Sequence, residues 1–169
     1  MPPTKPKSAS SSTNSRIDSA RLAQQLRNAF EGDAWHGPAL LELLADVDSA
    51  TAAAHPLPSV HSIWELVLHV AAWDDAVNRR IVLRKALQLN DAENFPPVVD
   101  PNEAAWKKAV AEVKKTHAQL LKTVEALPNS RLAERVPGKK YDIRFMLEGV
   151  AQHELYHAGQ IAILKKAGE

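Results

Sequence analysis

Apolar residues recur along most of this chain at spacings of three and four, the repeat of one face of an α-helix. Ile17, Leu22, Leu26 and Phe30, separated by charged and amide side chains, predict an amphipathic helix from Ile17 to about Phe30, closed by Gly32. Leu40, Leu41, Leu43, Leu44 and Val47 predict a helical run after the rigid turn Trp35-His36-Gly37-Pro38. Ser62-Ile63-Trp64-Glu65 places a hydroxyl at N-cap and a carboxylate at N3, so a long helix is expected from there to about Leu89, with its first half enclosed. Asn90 to Val99, with Pro96 and Pro97, reads as a loop. Asp100-Pro101-Asn102-Glu103 combines an Asp cap, a Pro at the first helical position and a Glu at N3, the start of another long helix. That helix carries Trp106, Val110, Val113, Leu120, Leu121, Val124 and Leu127 as its buried stripe and five lysines on its solvated face. Pro128 stops it, and Asp142 can cap a last helix from Ile143 to about Ala167. No strand-like alternation appears, so the expected fold is all-α, an antiparallel four-helix bundle with short extra helical turns.

Composition changes this picture in three places. Residues 1–15 contain no large apolar side chain beyond Met1, which predicts a disordered Ser-, Pro- and Lys-rich tail and leaves 16–169 as one domain. Lys and Arg total 21 against 20 acidic residues, a balance that gives no reason to expect nucleic acid or an anionic membrane surface as partner. Cysteine is absent, which removes disulfides, thiolate ligands and a cysteine nucleophile, and leaves histidine and carboxylate as the metal-ligating side chains. With no apolar run of membrane-spanning length and no hydrophobic N-terminal segment, the expected location is the cytoplasm.

The candidate chemistry lies in the last helix. His153 and His157 stand four residues apart, about 40° apart in azimuth and roughly 6 Å in height, so both imidazoles can point at one atom. Met146, Val150, Ile161 and Leu164 fall on the same side, so the pair faces a core. A divalent cation would satisfy one nitrogen of each ring, and one more ligand would complete a facial triad. Two histidines compete for that place: His69, on the apolar side of the long helix, and His36, held at the Gly-Pro corner. His55, His61 and His117 flank prolines, a helix cap or the lysine-rich face and read as surface residues. The string His153-Glu154-Leu155-Tyr156-His157 also fits a zinc-hydrolase or protease signature with Glu154 as general base. Such enzymes take their third ligand after the pair, and no histidine follows His157. Glu154 otherwise reads as a surface carboxylate of the helix or a partner of a ligand. Gly149 and Gly159 suggest close helix packing or access for a ligand, and Gln160 can hydrogen-bond at the site or be buried and satisfied elsewhere.

Taken together, Ser62-Ile63-Trp64-Glu65-Leu66-Val67-Leu68-His69-Val70-Ala71-Ala72-Trp73 and His153-x-x-x-His157-Ala158-Gly159-Gln160-Ile161 resemble the DinB/YfiT-like superfamily of metal-binding four-helix bundles. The Trp35-His36-Gly37-Pro38 corner resembles one branch of it, so the likeness spans most of residues 17–167. The resemblance implies His69, His153 and His157 as ligands of a divalent metal, zinc or nickel. It also implies an open site with positions left for water or substrate. Among members of that superfamily are transferases using low-molecular-weight thiols such as bacillithiol or mycothiol, and a maleylpyruvate isomerase. The implied function is therefore a metal-dependent thiol transferase or isomerase, with a thiol as co-substrate, metal-bound thiolate as nucleophile and a small molecule as substrate. The alternative is a non-catalytic, stress-related metal-binding module. A homodimer is left open.

Overall fold

The computed structural model of the chain describes residues 17–168. The tail expected at residues 1–15, and its boundary with the domain, lie outside these. Every regular element among the described residues is helical, and the only β-type pairing is an isolated bridge between Arg135 and Asp142. Four long helices dominate: α1 (Ile17–Phe30), α4 (Ile63–Leu83), α6 (Glu103–Glu125) and α7 (Ile143–Ala167). Three short ones, α2 (Leu40–Leu44), α3 (Ser49–Ala53) and α5 (Asp91–Asn94), supply the extra turns, with one 3₁₀ turn at Asn129–Arg131.

The starts follow local chemistry. Ser62 Oγ accepts from the Glu65 amide at 3.2 Å while Glu65 Oε2 accepts from the Ser62 amide at 2.7 Å, a reciprocal capping box. Asp142 Oδ1 accepts from the Phe145 amide at 2.9 Å and opens α7. Three boundaries differ from expectation. The cap of α6 is Asn102, whose Oδ1 accepts from the Ala105 amide at 2.9 Å, and Asp100 instead braces the Asn102 side chain at 2.9 Å. An amide two residues further on thus outcompetes the Asp-Pro start. Helix α4 ends at Leu83, short of Leu89, because Arg84 turns left-handed at φ 51°. The segment expected to be all loop after Asn90 holds α5, capped reciprocally by Asn90 and Glu93 at 2.9 Å each way.

Two core clusters reveal the helix directions. The first joins the beginnings of α4 and α6 (Trp64, Val67, Trp106, Ala109) to the end of α7 (Ile161, Leu164) and to Phe30 at the end of α1. The second joins the ends of α4 and α6 (Val77, Ile81, Leu120, Val124) to the beginnings of α7 (Ile143, Leu147) and α1 (Leu22, Leu26). Helix α4 therefore runs antiparallel to α7 and parallel to α6, and α1 antiparallel to α6 and parallel to α7. The antiparallel expectation holds for two of the packed pairs. The parallel pairs exist because residues 84–102 form a long return connection that carries the chain back along α4, whereas adjacent antiparallel helices need only a short turn. The connections are pinned by polar contacts to the bundle: Trp106 Nε1 donates to the Val47 carbonyl at 2.7 Å, and Lys165 Nζ donates to the Leu43 carbonyl at 2.8 Å and pairs with Asp46. No helix among the described residues is long and apolar enough to cross a membrane.

Candidate metal centre

Because α4 and α7 run antiparallel, the first half of α4 meets the middle of α7. His69 from the one and His153 and His157 from the other come together there, and His153 Nε2 lies 3.0 Å from Nε2 of each neighbour. The three rings offer ligand atoms within 4.8 Å of one another. Two of the rings are oriented from behind. His69 Nδ1 donates to the Asn94 carbonyl at 2.6 Å, and His157 Nδ1 donates to Gln160 Oε1 at 2.6 Å. Asn94 is itself held by Trp73, whose Nε1 donates to its Oδ1 at 2.8 Å. Phe95 stacks on His69 at 4.0 Å and is sandwiched from the other side by His61 at 3.9 Å.

The proton count of this arrangement favours a cation. With Nδ1 occupied as donor, neutral His69 and His157 each carry a lone pair on Nε2. Both lone pairs face His153 Nε2, which has at most one proton and can serve only one of them. A cation shared by the three lone pairs removes that conflict. The spacing suits it as well, since Nε2 atoms 3.0 Å apart are close enough to share one ion at the usual metal–nitrogen distance of about 2.1 Å. The rings are also held neutral, as ligation requires. Burial pulls the pKa of His69 down to about 4, against the opposing bond to Asn94. Burial, reinforced by the neighbouring imidazoles, pulls His153 down to about 3. Burial lowers His157 too. Nδ1 of His153 is buried with no hydrogen-bond partner among the described residues.

The imidazoles form part of the wall of a cavity of about 440 Å³ whose other lining includes Trp73, Arg80, Phe145, Gly149 and Tyr156. A volume of that size accepts a small organic molecule. A methyl group built on Gly149 would meet no atom within 4 Å, nor would one on Gly159. Close helix packing therefore does not explain either glycine, and Gly149 leaves room in the cavity wall. His36 is not part of this arrangement: it is exposed and lines a different hollow with Gln25, Trp35 and Gln152. His55 and His61 are exposed, as expected.

His117 and Glu154 overturn their surface readings. Both are sealed, at 1% and 0% exposure, together with Asp74 at 0%. His117 Nδ1 donates to Glu154 Oε1 at 2.9 Å and lies 3.6 Å from Asp74 Oδ2, with Phe30 stacked on its ring at 3.8 Å. Burial alone would lower the His117 pKa, but the hydrogen bonds and charges of the two carboxyls raise it to about 9. Burial and the neighbouring Asp74 raise Glu154 to about 8, and burial raises Asp74. The sealed cluster thus sets an imidazolium between two carboxyls whose ionisation burial opposes. Glu154 does not line the cavity and points to His117 instead, so it is not placed to serve as general base for a water there.

The sequence held signals for these misses. Val113, His117, Leu120 and Val124 are spaced four, three and four, which places His117 on the buried stripe despite Lys114 and Lys115 beside it. The Asn90-x-x-Glu93 pair was the mark of α5, the element that positions Asn94 and Phe95 behind His69. Nothing in the spacing identified Asp74.

A helical domain in which three histidines converge at a cavity wall has an arrangement compatible with binding a divalent metal. The DinB superfamily model matches residues 34–161, and the chain is a member of that superfamily. No curated protein and no solved structure matches the chain.

Proposed function

We propose that this protein is a metal-dependent thiol transferase or isomerase whose divalent ion, zinc or nickel, is held by His69, His153 and His157. The observation that carries this reading is the convergence of three neutral, lone-pair-bearing imidazoles on one side of an otherwise largely apolar cavity. A closed structural site would have four protein ligands and no adjoining space. When bound, the ion supplies Lewis acidity, lowering the pKa of a coordinated thiol, ordinarily about 8.5, toward neutrality.

The chain's own residues do the rest. Asn94 and Gln160 fix the ring orientations of His69 and His157 and keep their Nε2 lone pairs turned inward. Trp73, Phe145 and Tyr156 offer aromatic surface against which an electrophilic substrate can lie. The apolar wall limits water near the reacting atoms and so favours attack by sulfur over hydrolysis. The protein needs no nucleophile of its own, in keeping with the absence of cysteine.

The test is conjugation of a small electrophile with excess thiol by untagged, metal-loaded protein, with peptide cleavage as a control. Thiol-dependent turnover that is lost in His157→Ala and kept in Glu154→Gln is the expected result. Peptide cleavage that disappears in Glu154→Gln would replace this reading with a hydrolase. Stoichiometric metal without turnover by any thiol would leave a non-catalytic binding module.

A further inference from the structure

Arg80 lies in the last turn of α4 and is 3% exposed, yet among the described residues no Asp or Glu pairs with it. Its Nε and Nη2 both donate to one atom, the Leu87 carbonyl, at 3.1 and 2.9 Å, and its guanidinium sits 5.4 Å from the Trp73 ring centroid. The carbonyl and the helix terminus account for its position, since a cation is favoured at a helix C-terminus. They do not supply a counter-charge. A buried cation is ordinarily matched by an anion, and the guanidinium has five N–H donors, of which the Leu87 contacts use two.

Two further facts indicate where the anion comes from. Arg80 is the one permanently charged residue among those lining the cavity beside the three histidines, where the rest of the wall is largely aromatic and aliphatic. Behind it, a smaller hollow of about 270 Å³, which Arg80 also lines, gathers Arg84, Arg131 and Arg135 against the single carboxylate of Glu134. That carboxylate is committed at 3.0 Å to Arg131 and 3.9 Å to Arg84. The surroundings of Arg80 therefore add positive potential and leave no negative charge to spare.

We infer that Arg80 is the anion-binding residue of the cavity and that the ligand is a small organic anion, with an apolar body against Trp73 and Phe145 and a carboxylate or similar group at the guanidinium. This rests on reading the cavity as a ligand site. It adds that the ligand is anchored at two points, its charge on Arg80 and its reactive atom toward the histidines. The planar fork suits a carboxylate or phosphate oxygen pair better than an ammonium would, so Arg80→Lys is not a neutral exchange here.

The experiment compares phenylacetate with its uncharged isostere phenylacetamide by titration calorimetry, on zinc-loaded and on chelator-treated protein. The wild type is expected to bind the anion roughly ten- to a hundredfold more tightly in both states, the range of one charge-assisted hydrogen-bonding contact. In Arg80→Met, with helicity and zinc content checked, the two probes should bind alike while phenylacetamide affinity is unchanged. If that variant does not fold, the side-chain Nε–H signal of Arg80 in the wild type serves instead, and should move with phenylacetate and stay with phenylacetamide. No preference in the wild type, a preference confined to the zinc-loaded state, a preference that survives in Arg80→Met, or an unmoved Arg80 signal overturns the proposal. The readout needs no turnover, so failure of the thiol assay with the anion preference intact would sink the transferase reading alone.

Discussion

Helices α4 and α7 each contribute to two polar clusters, and the two clusters have opposite characters. His69, His153 and His157 adjoin a cavity, are held neutral and direct lone pairs at one another. Asp74, His117 and Glu154 are sealed in the core, carry charge and balance it internally. His153 and Glu154 are neighbours in the chain, and the 100° turn between them sends one toward the cavity and the other into the bundle. The difference teaches that a buried polar group can be satisfied in two ways. Where opposite charges are gathered within reach, they offset one another inside the core and serve the fold. Where like acceptors converge beside open space, the matching charge has to come from outside, and the arrangement is compatible with binding a cation.

The largest effect expected from breaking this contrast is on metal. His153→Ala should abolish stoichiometric zinc or nickel binding, as should His69→Ala and His157→Ala, while His117→Ala keeps it. Metal analysis after gel filtration decides the matter, and full occupancy in His69→Ala would mean that the third ligand lies elsewhere.

The sealed cluster should respond in stability instead. Removing the central imidazolium by His117→Ala leaves Asp74 and Glu154 facing each other without a cation, and breaking a buried pair in this way costs about 3–5 kcal/mol. Urea unfolding measures it. Glu154→Gln should cost far less, because with a pKa raised to about 8 the carboxyl is already uncharged at neutral pH and glutamine preserves its shape. Equal losses in the two variants would contradict the assigned charge states.

The same cluster predicts a direction with pH. The folded pKa of His117 is raised to about 9, above its ordinary 6.5, by Asp74 on α4 and Glu154 on α7. The stabilisation is therefore complete below about pH 6.5 and is lost as pH rises through 9, since over that interval the folded state binds more protons than the unfolded one. The melting temperature should fall from pH 6.5 to 9, and this slope should flatten in His117→Ala. A wild-type melting temperature that rises over that interval would argue against an imidazolium in the core.

Smaller effects sharpen the open cluster. Gln160→Ala removes the acceptor behind His157 and leaves all three ligands, so metal affinity should weaken by about 10- to 100-fold without being lost. Competition with a chelator of known affinity reads this, and unchanged affinity would show that the ring is held by packing alone. Gly149→Ala should be the mildest change and the only favourable one: with no atom within 4 Å of the added methyl, the helix gains up to about 1 kcal/mol. The methyl intrudes on the cavity, so any ligand that contacts this wall should bind less well to a more stable protein.

Much of this molecule was determined locally and could be read from the sequence alone. The four long helices follow from apolar spacing, the starts of α4 and α7 from the Ser62-Glu65 box and the Asp142 cap, and the metal-suited pair from two histidines one turn apart. Hydrogen bonds and side-chain periodicities that span three or four residues are written in consecutive letters. What depended on distant segments was not. Whether α4 lies parallel to α6 is set by where the long connection returns, and no local pattern encodes it. The partners of His117 come from residues 43 positions before it and 37 after it, so its charge could not be settled within its own helix, and the lysines beside it concealed the stripe that marks its burial. The same holds for Arg80, which looks like an ordinary charge at the end of a helix. Only packing the helices removes water from it, gives it no acid partner and makes it a wall of the cavity, because burial is a property of the assembled bundle and not of any one segment.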